Sequence, residues 1–315
     1  MITPAVLQEV CAYLGCESTD LKLLGGYHNH VFEVHHNGRQ IIVKILQETY
    51  TTKNQVLAEV AWLVELLHHG QHVVKPLLLD GRDYITDLSG DFFFAAYEKV
   101  EGIHIQPQHK NVWNAEIFEQ WGEALGSIHA LSKTYKPQHH WPQWSEHPLL
   151  KADIISEDPQ IMDLWTSYVT QFKSLPTMED NYGLIHGDLH HHNLMYTEQG
   201  LTLIDFGDAE YHWFAYDMAI SIYHAVQTVP RGKERNEFAF RFFDSLMKGY
   251  ARTNSSTAFI SQIDLFIDYR YLFSYTYHSV FSDQNQWTEQ QRLFIENMRL
   301  SLIHDPSYLG FKLLV

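Results

Sequence analysis

The sequence predicts an α+β fold in two parts: a small, mainly antiparallel sheet with one crossing helix, then a larger, mainly helical part. Three observations lead to this prediction. Alternating apolar segments separated by turn signals fill most of the first hundred residues, one amphipathic segment interrupts them, and helical spacing dominates after residue 111. We therefore predict domains at residues 1–101 and 102–315, joined by a polar, irregular linker over 102–111.

The first part is predicted to begin with a helix and to continue as strands. Pro4–Leu14 carries apolar residues at helical spacing. Asn37-Gly38 is a strong signal for a hairpin turn, and Gln55–His69 is amphipathic, which predicts the crossing helix. Strands are predicted over residues 21–34, 40–46, 73–79, 83–86 and 92–100.

The second part is predicted to contain long helices around one loop-and-hairpin segment. Asn114–Ser132 and the region around Gln160–Lys173 have amphipathic helical spacing. Residues 183–208 predict a loop followed by a hairpin, because two short apolar segments flank the turn Thr197-Glu198-Gln199-Gly200. Further helices are predicted over residues 214–228, 233–251, 258–282 and 288–303.

Composition narrows the class of protein. The 22 basic and 38 acidic residues give a formal charge of −16, which argues against nucleic acid or an anionic membrane as a partner. No apolar run approaches the ~18 residues of a membrane helix, and the start of the chain lacks the features of a secretory signal. Two cysteines cannot build a disulfide framework, so we expect a protein of the reducing cytoplasm.

Three polar residues in segment 183–208 carry the predicted chemistry. Asp188 lies five positions before Asn193, and the predicted hairpin brings Asn193 close to Asp205. Amide and carboxylate oxygens are hard ligands suited to Mg²⁺ on a nucleotide. An Asp placed in this way before an Asn, with a later Asp-Phe-Gly, is the arrangement of a kinase catalytic loop. We predict that Asp188 orients the acceptor hydroxyl and accepts its proton, with Asn193 and Asp205 as metal ligands.

Lys44 and Glu59 form a second candidate group. Lys44 sits inside the apolar strand segment Ile41–Ile45, where its ammonium needs an open edge, a carboxylate or a bound anion. Glu59 lies on the next predicted helix, and such a pair would direct the lysine toward the phosphates of ATP. The adjacent glycines Gly25 and Gly26 let backbone N–H groups approach phosphate oxygens, although such a turn is common.

Acidic and aromatic residues follow Asp205. Asp208 and Glu210 face either a cationic substrate or water, and the sequence leaves these alternatives equal. Trp213 and later aromatics can enclose an ammonium group by cation–π contact or pack a core. We expect Asp217 to hydrogen-bond the catalytic loop, His186 to support that loop, and the run His190-His191-His192 to be a solvated loop face with an incidental metal contact as the alternative.

Taken together, these residues resemble the aminoglycoside phosphotransferase/choline kinase superfamily, a bacterial phosphotransferase enzyme family with a protein-kinase-like bilobal fold. The resemblance covers about residues 23–219 and rests mainly on His186–Asn193 and Ile204–Gly207. Leu24–Asn29 resembles the family's nucleotide loop with its Gly-Gly-x-x-Asn pattern, which implies a nucleotide role for Asn29. By the same similarity the Glu98 carbonyl and the Val100 N–H hold adenine.

The resemblance implies an ATP- and Mg²⁺-dependent enzyme that phosphorylates a hydroxyl of a small molecule. Asp208 and Glu210 favour a hydroxylated amine or amino acid, of the homoserine, choline-like or aminoglycoside type. Two alternatives remain at this point: a protein Ser/Thr kinase of the bacterial stress-kinase type, and a non-catalytic nucleotide-binding protein.

Overall fold

The computed structural model describes residues 2–25, 30–79, 81–151, 158–282 and 284–314. They fall into two compact units. The first comprises Met1–Ile105, Tyr135–Trp141 and His192–Gly207, and the second comprises Gln106–Thr134, Pro142–His191 and Asp208–Val315. The division of the chain into lobes at residues 101 and 102 stays a prediction.

The first unit is built on a six-stranded antiparallel sheet. Its strands are β1 (Lys22–Gly25), β2 (Val31–His36), β3 (Arg39–Gln47), β4 (Pro76–Leu77), β5 (Ile85–Asp87) and β6 (Phe92–Glu98). They run in the order β1-β2-β3-β6-β4, with β5 also paired to β6. Two helices belong to the unit: α1 (Pro4–Leu14) and α2 (Lys53–His68).

Helix α1 packs on the sheet, which sequence reasoning did not assign to it. Val6, Val10 and Leu14 share one core with alternate residues of the central strands, among them Ile41 and Val43. The helix ends at Gly15, whose φ of +70° is the left-handed conformation that glycine adopts readily. Helix α1 therefore covers one face of the sheet. The side chains of Ile42 and Lys44, which alternate with the core residues of β3, lie on the other face.

A second sheet of the first unit is formed by β7 (Ile103–His104), β9 (Leu194–Thr197) and β10 (Gly200–Leu203). The predicted hairpin is confirmed, since β9 and β10 pair antiparallel from Leu194↔Leu203 to Thr197↔Gly200. The prediction of an irregular linker over 102–111 is wrong at Ile103–His104, which pairs with β9. Two paired residues are too short a segment for alternation to reveal.

The second unit is mainly helical. Its helices are α3 (Ala115–Ser132), α4 (Pro148–Lys151), α5 (Pro159–Ser174), α6 (Phe214–Gln227), α7 (Lys233–Tyr250), α8 (Ile263–Phe281) and α9 (Glu289–His304). A two-stranded antiparallel sheet adds β8 (Tyr182–Ile185) and β11 (Glu210–Trp213). Helices α3 and α7 touch backbone to backbone at Gly122, where a Cβ would lie 1.8 Å from the Leu246 carbonyl oxygen. Within the residues that the structure describes, no helix is long and apolar enough to cross a bilayer.

Together the sheet unit and the helical unit confirm the predicted α+β class. The long helices begin and end within a few residues of their predicted positions. The main differences are the segment 73–79, where only Pro76–Leu77 is a strand, and the sheet of β8 and β11, which the sequence did not predict.

Candidate active site

Lys44 lies on the face of the first sheet opposite α1. Ile41, Val43 and Ile45 point into the core with α1, so the alternation of a strand directs Lys44 to the other side. Its neighbours across the sheet are Val31 on β2 and Ala95 on β6. The lysine therefore stands in the middle of the sheet, where water cannot solvate its ammonium fully; its side chain is 16% exposed.

Two carboxylates neutralise this ammonium. Lys44 Nζ donates to Asp205 Oδ1 at 2.7 Å and lies 3.8 Å from Glu59 Oε1. Burial alone would lower the pKa of Lys44, but the charges of Asp205 and Glu59 outweigh burial and hold it well above its ordinary value. Lys44 is thus a permanent cation. The sequence predicted its pairing with Glu59, but not that with Asp205.

Glu59 is held differently from Asp205. Its side chain is buried on α2 and accepts a hydrogen bond from Tyr97 Oη at 3.3 Å. Burial raises the pKa of the Glu59 carboxyl, and Lys44 offsets this only in part. The two carboxylates near Lys44 thus differ. Asp205 makes the short ion pair, whereas Glu59 lies farther away, is hydrogen-bonded to Tyr97 and has a raised pKa. The sequence analysis did not assign Tyr97 to this site. It lies two positions after Ala95 on β6 and therefore on the same face of the sheet.

Asn193 and Asp205 lie at one end of the β9–β10 hairpin. Asn193 directly precedes β9, Asp205 follows β10 by two positions, and the Ile204 N–H donates to the Asn193 carbonyl at 3.1 Å. Asp205 has a φ of +66°, which is unusual for a residue other than glycine and turns the chain at this point. The amide and carboxylate are hard oxygen donors at the same hairpin end, so they suit a Mg²⁺ ion. Their role as ligands stays a prediction.

The remaining nucleotide residues are placed only in part. Gly25 ends β1 with a φ of +132°, a conformation open to glycine. Gly26 and Asn29, predicted for the phosphate loop, lie outside the described residues. Glu98 ends β6 and Val100 follows two positions later, both half-buried.

In the second unit, the loop that carries Asp188 leaves β8 through a tight turn. Gly187 has a φ of +82°, and a Cβ there would lie 2.1 Å from the Asp208 carbonyl oxygen. The conformation and the close backbone both require glycine. As a result, the segment after β8 and the segment before β11 run in direct contact.

Buried side chains fix this loop from behind. Asp217 of α6, which is 0% exposed, accepts from the His186 N–H at 3.0 Å and the Gly187 N–H at 3.1 Å. His129 of α3 lies 3.1 Å from the same carboxylate. Burial would raise the pKa of Asp217, but hydrogen bonds from His129 and the loop lower it, so this carboxylate is ionised. The structure confirms the predicted anchoring role of Asp217.

His186 is a support residue, as predicted. It is fully buried, and its Nδ1 accepts a hydrogen bond from the Asp188 N–H at 3.3 Å. Ser221 adds another contact by donating to the Leu189 carbonyl at 2.8 Å. The backbone on both sides of Asp188 is therefore held by side chains of the helical unit.

The Asp188 carboxylate contacts Arg270 and His190. Oδ1 accepts from Arg270 at 2.9 Å, and Oδ2 lies 3.2 Å from His190 Nε2. Burial would raise the pKa of Asp188, but the hydrogen bond from His190 and the charge of Arg270 together hold it well below its usual range. Such a group is a weak base, and it is suited to orienting a hydroxyl in a reaction where proton removal is late. Arg270 was missed because nothing in its local sequence distinguishes it.

Asp208, Glu210 and Trp213 have different surroundings. Asp208 is exposed, whereas burial and the neighbouring Asp208 raise the pKa of Glu210 to about 8. The predicted substrate contact of Trp213 needs correction: its side chain is 1% exposed, and its indole N–H donates to the Pro176 carbonyl at 2.9 Å. Trp213 packs against Phe172 and other aromatics, so its ring is a core element.

The histidine run is only partly a solvated face. His192 is exposed, but His191 is buried with its ring centroid 5.6 Å from that of Trp113, and His190 contacts Asp188. The expectation of a solvated run is wrong for these two. In the portions of the chain that the structure describes, no cluster of three His, Cys, Asp or Glu side chains suited to a metal ion is found.

Three features are typical of a phosphotransferase of the protein-kinase-like class. They are a lysine–glutamate pair on an antiparallel sheet, an Asn–Asp pair on a hairpin, and an anchored aspartate loop in a helical unit. The chain belongs to the phosphotransferase enzyme family, whose model matches residues 20–254.

Known proteins place the chain within this family. It is 31% identical over 307 residues to the amicoumacin kinase of Bacillus subtilis (strain 168), covering 93% of this chain and 90% of that protein. The solved amicoumacin kinase hAmiN, in complex with AMP-PNP, Ca²⁺ and Ami, superposes with a TM-score of 0.88 at 25% identity, covering 98% of this chain and 95% of that one. A microcompartment-associated aminopropanol kinase has a TM-score of 0.73 at 19% identity, covering 96% and 98%, and shows the fold alone. The enzyme is a small-molecule phosphotransferase with a hydroxyl acceptor.

Proposed function

We propose that this enzyme transfers the γ-phosphoryl group of Mg·ATP to a hydroxyl of a small, amine-bearing molecule, with an amicoumacin-type compound as the first candidate. The observation that carries the proposal is the ionised Asp188 carboxylate, anchored through its loop to Asp217. The extent of the similarity to the amicoumacin kinase of Bacillus subtilis supports the choice of acceptor.

The donor half of the reaction is assigned to the first unit. Lys44 supplies a fixed positive charge for the α- and β-phosphates, and Glu59 keeps the lysine in place. Asn193 and Asp205 are the proposed Mg²⁺ ligands. When bound, the metal neutralises phosphate charge as it develops during transfer. Glu98 and Val100 are proposed to bind adenine through their backbone, with Gly25, Gly26 and Asn29 on the phosphates.

The acceptor half is assigned to the second unit. Asp188 orients the acceptor hydroxyl and takes its proton as the new O–P bond forms, while the bond from the γ-phosphorus to the ADP oxygen breaks. The exposed Asp208 supplies negative potential for a substrate ammonium group, whereas Glu210, whose pKa is raised to about 8, is mostly protonated at neutral pH and contacts the substrate there as a neutral group. The protein-kinase alternative is not carried further, because the two amicoumacin kinases named above are kinases of a small molecule.

We also propose a cytoplasmic location and no nucleic-acid partner. Cys11 and Cys16 are both free thiols, as in a reducing compartment. The formal charge of −16 disfavours binding to a polyanion.

The test is release of ADP with a panel of hydroxylated compounds: amicoumacin, aminopropanol, choline, homoserine, an aminoglycoside, and neutral sugars as the comparison. We expect turnover with an amine-bearing member and little with the sugars. Asp188→Ala should lower kcat by roughly 10²- to 10⁴-fold and leave the Kd of Mg·ATP nearly unchanged.

Asp244→Ala is the matched control, because Asp244 is an exposed carboxylate on α7. It should leave turnover unchanged. An Asp188→Ala enzyme that works at the wild-type rate would refute the role of Asp188, and turnover confined to neutral sugars would refute the amine preference.

A further inference from the structure

Arg270 reaches the predicted acceptor base from a distant part of the sequence. It lies on α8, 82 positions after Asp188, and its Nη2 donates to Asp188 Oδ1 at 2.9 Å. The arginine side chain is 11% exposed and that of Asp188 is 25% exposed. The ion pair is therefore largely shielded from water, where its geometry matters more than at a surface.

The surroundings hold this guanidinium in one orientation. Nη1 donates to Tyr216 Oη at 3.4 Å, Nη2 lies 3.2 Å from His224 Nε2, and the Phe273 ring centroid lies 5.3 Å away. Nε is buried and has no hydrogen-bond partner among the described residues. Burying this charge costs free energy, which the contacts of the guanidinium with Asp188, Tyr216 and His224 offset.

Arg270 also determines what Asp188 can do. With Oδ1 bound to Arg270 and Oδ2 in contact with His190, the carboxylate cannot rotate freely about its last bond. We propose that Arg270 is a positioning residue for phosphoryl transfer: its guanidinium holds the Asp188 carboxylate in one orientation for the acceptor hydroxyl. This inference rests on the proposed function of Asp188.

The pair has a measurable consequence for pH dependence. Arg270 and His190 hold the pKa of Asp188 low against burial, which acts in the opposite direction. Removing Arg270 should raise that pKa, so the acid limb of kcat/KM should move to higher pH. The charge of Arg270 also acts on the pKa of other ionisable groups around the pair, so their titration shifts with the substitution as well: His147, Glu210, Tyr216, Tyr223, His224, Tyr269 and His278.

The experiment compares Arg270→Met and Arg270→Lys with the wild-type enzyme. It uses the panel compound that gives the greatest ADP release, and measures ATP hydrolysis by water alongside. Arg270→Met should lower kcat on the order of 10²-fold, since misplaced groups cost about this much, with the Kd of Mg·ATP unchanged. Arg270→Lys should be intermediate because an ammonium keeps the charge but not the planar fork. Added ethylguanidinium should partly restore Arg270→Ala, whereas ethylammonium should not.

Arg235→Met is the matched control. Arg235 is also a buried arginine, but it lies on α7 with its guanidinium 4.5 Å from the Tyr308 ring centroid. This variant should lose thermal stability, and the acid limb of its kcat/KM profile should stay in place.

The outcomes distinguish the inference about Arg270 from the proposed function of Asp188. If Arg270→Met keeps the wild-type kcat and acid limb while Asp188→Ala is inactive, the inference is overturned and the proposed function stands. If Arg270→Met is only less stable, with no shift of the acid limb, and ethylguanidinium does not restore Arg270→Ala, Arg270 is structural and the inference is likewise overturned. Wild-type turnover by Asp188→Ala would overturn both.

Discussion

The anchoring of the catalytic loop by Asp217 gives a quantitative prediction for Asp217→Asn. The carboxylate is 0% exposed, and its Oδ2 accepts from both the His186 N–H and His129 while its Oδ1 accepts from the Gly187 N–H. An amide fills the same space but replaces one acceptor oxygen by an NH₂ donor. The least costly orientation keeps the oxygen at the Oδ2 position and leaves the Gly187 N–H unsatisfied.

The magnitude follows from these contacts. One buried, unsatisfied N–H costs about 1–3 kcal/mol, and two charge-assisted hydrogen bonds become neutral ones at about 0.5 kcal/mol each. We expect Asp217→Asn to lower the free energy of unfolding by about 2–4 kcal/mol at pH 7. Turnover should also fall, because the backbone next to Asp188 loses its support. Urea unfolding followed by far-UV circular dichroism measures the first effect, and ADP release the second.

The pH dependence supplies an independent check. Since the pKa of Asp217 is lowered in the folded state, its stabilisation is present above the unfolded pKa of about 3.9 and is lost as pH falls through the folded value. The difference between wild type and Asp217→Asn should therefore narrow in acid. Ser221→Ala is the comparison, because it removes one neutral hydrogen bond worth about 1 kcal/mol. A change below about 0.5 kcal/mol in Asp217→Asn, with unaltered turnover, would refute the anchoring argument.

Three further predictions follow from the site. Asp205→Ala should weaken ATP binding in the presence of Mg²⁺ but much less in its absence, as measured by isothermal titration calorimetry; equal affinities in both conditions would exclude a metal role. The wild type should lose stability as pH rises toward the Glu210 pKa of about 8, because the folded protein holds this carboxyl in its protonated form. Glu210→Gln should remove that loss. If the urea midpoints of both proteins change equally between pH 6 and about pH 9, this prediction is wrong. Gly187→Ala should abolish turnover and lower the free energy of unfolding by at least about 1–2 kcal/mol, since φ is +82° and the new Cβ would meet the Asp208 carbonyl; a soluble, fully active variant would show that the turn is more adaptable than its geometry indicates.

Much of the fold could be predicted because its signals are local. Helical spacing located α3 and α6–α9 to within a few residues, apart from a later start of α8 at Ile263. The turn Thr197–Gly200 between two apolar segments fixed the hairpin, and with it the proximity of Asn193 and Asp205. The pairing of Lys44 with Glu59 was predictable because a charge inside an apolar strand needs a partner and only a few candidates follow it in the chain.

Other features depend on which distant residues the fold brings together. Whether Trp213 faces substrate or core was set by Phe172 and Pro176, which lie far from it in sequence. Nothing in the sequence next to His190 or Arg270 indicates that these residues contact Asp188.

The sequence by itself determined the kind of reaction, since residue type and spacing along one loop and one hairpin specify that chemistry. Only the tertiary structure decided the ionisation state of Asp188, the proposed base. The ionisation of Asp188 depends on burial and on a cation 82 positions away. Burial and electrostatic interaction vary with distance in space, and no pattern along the chain encodes that distance directly.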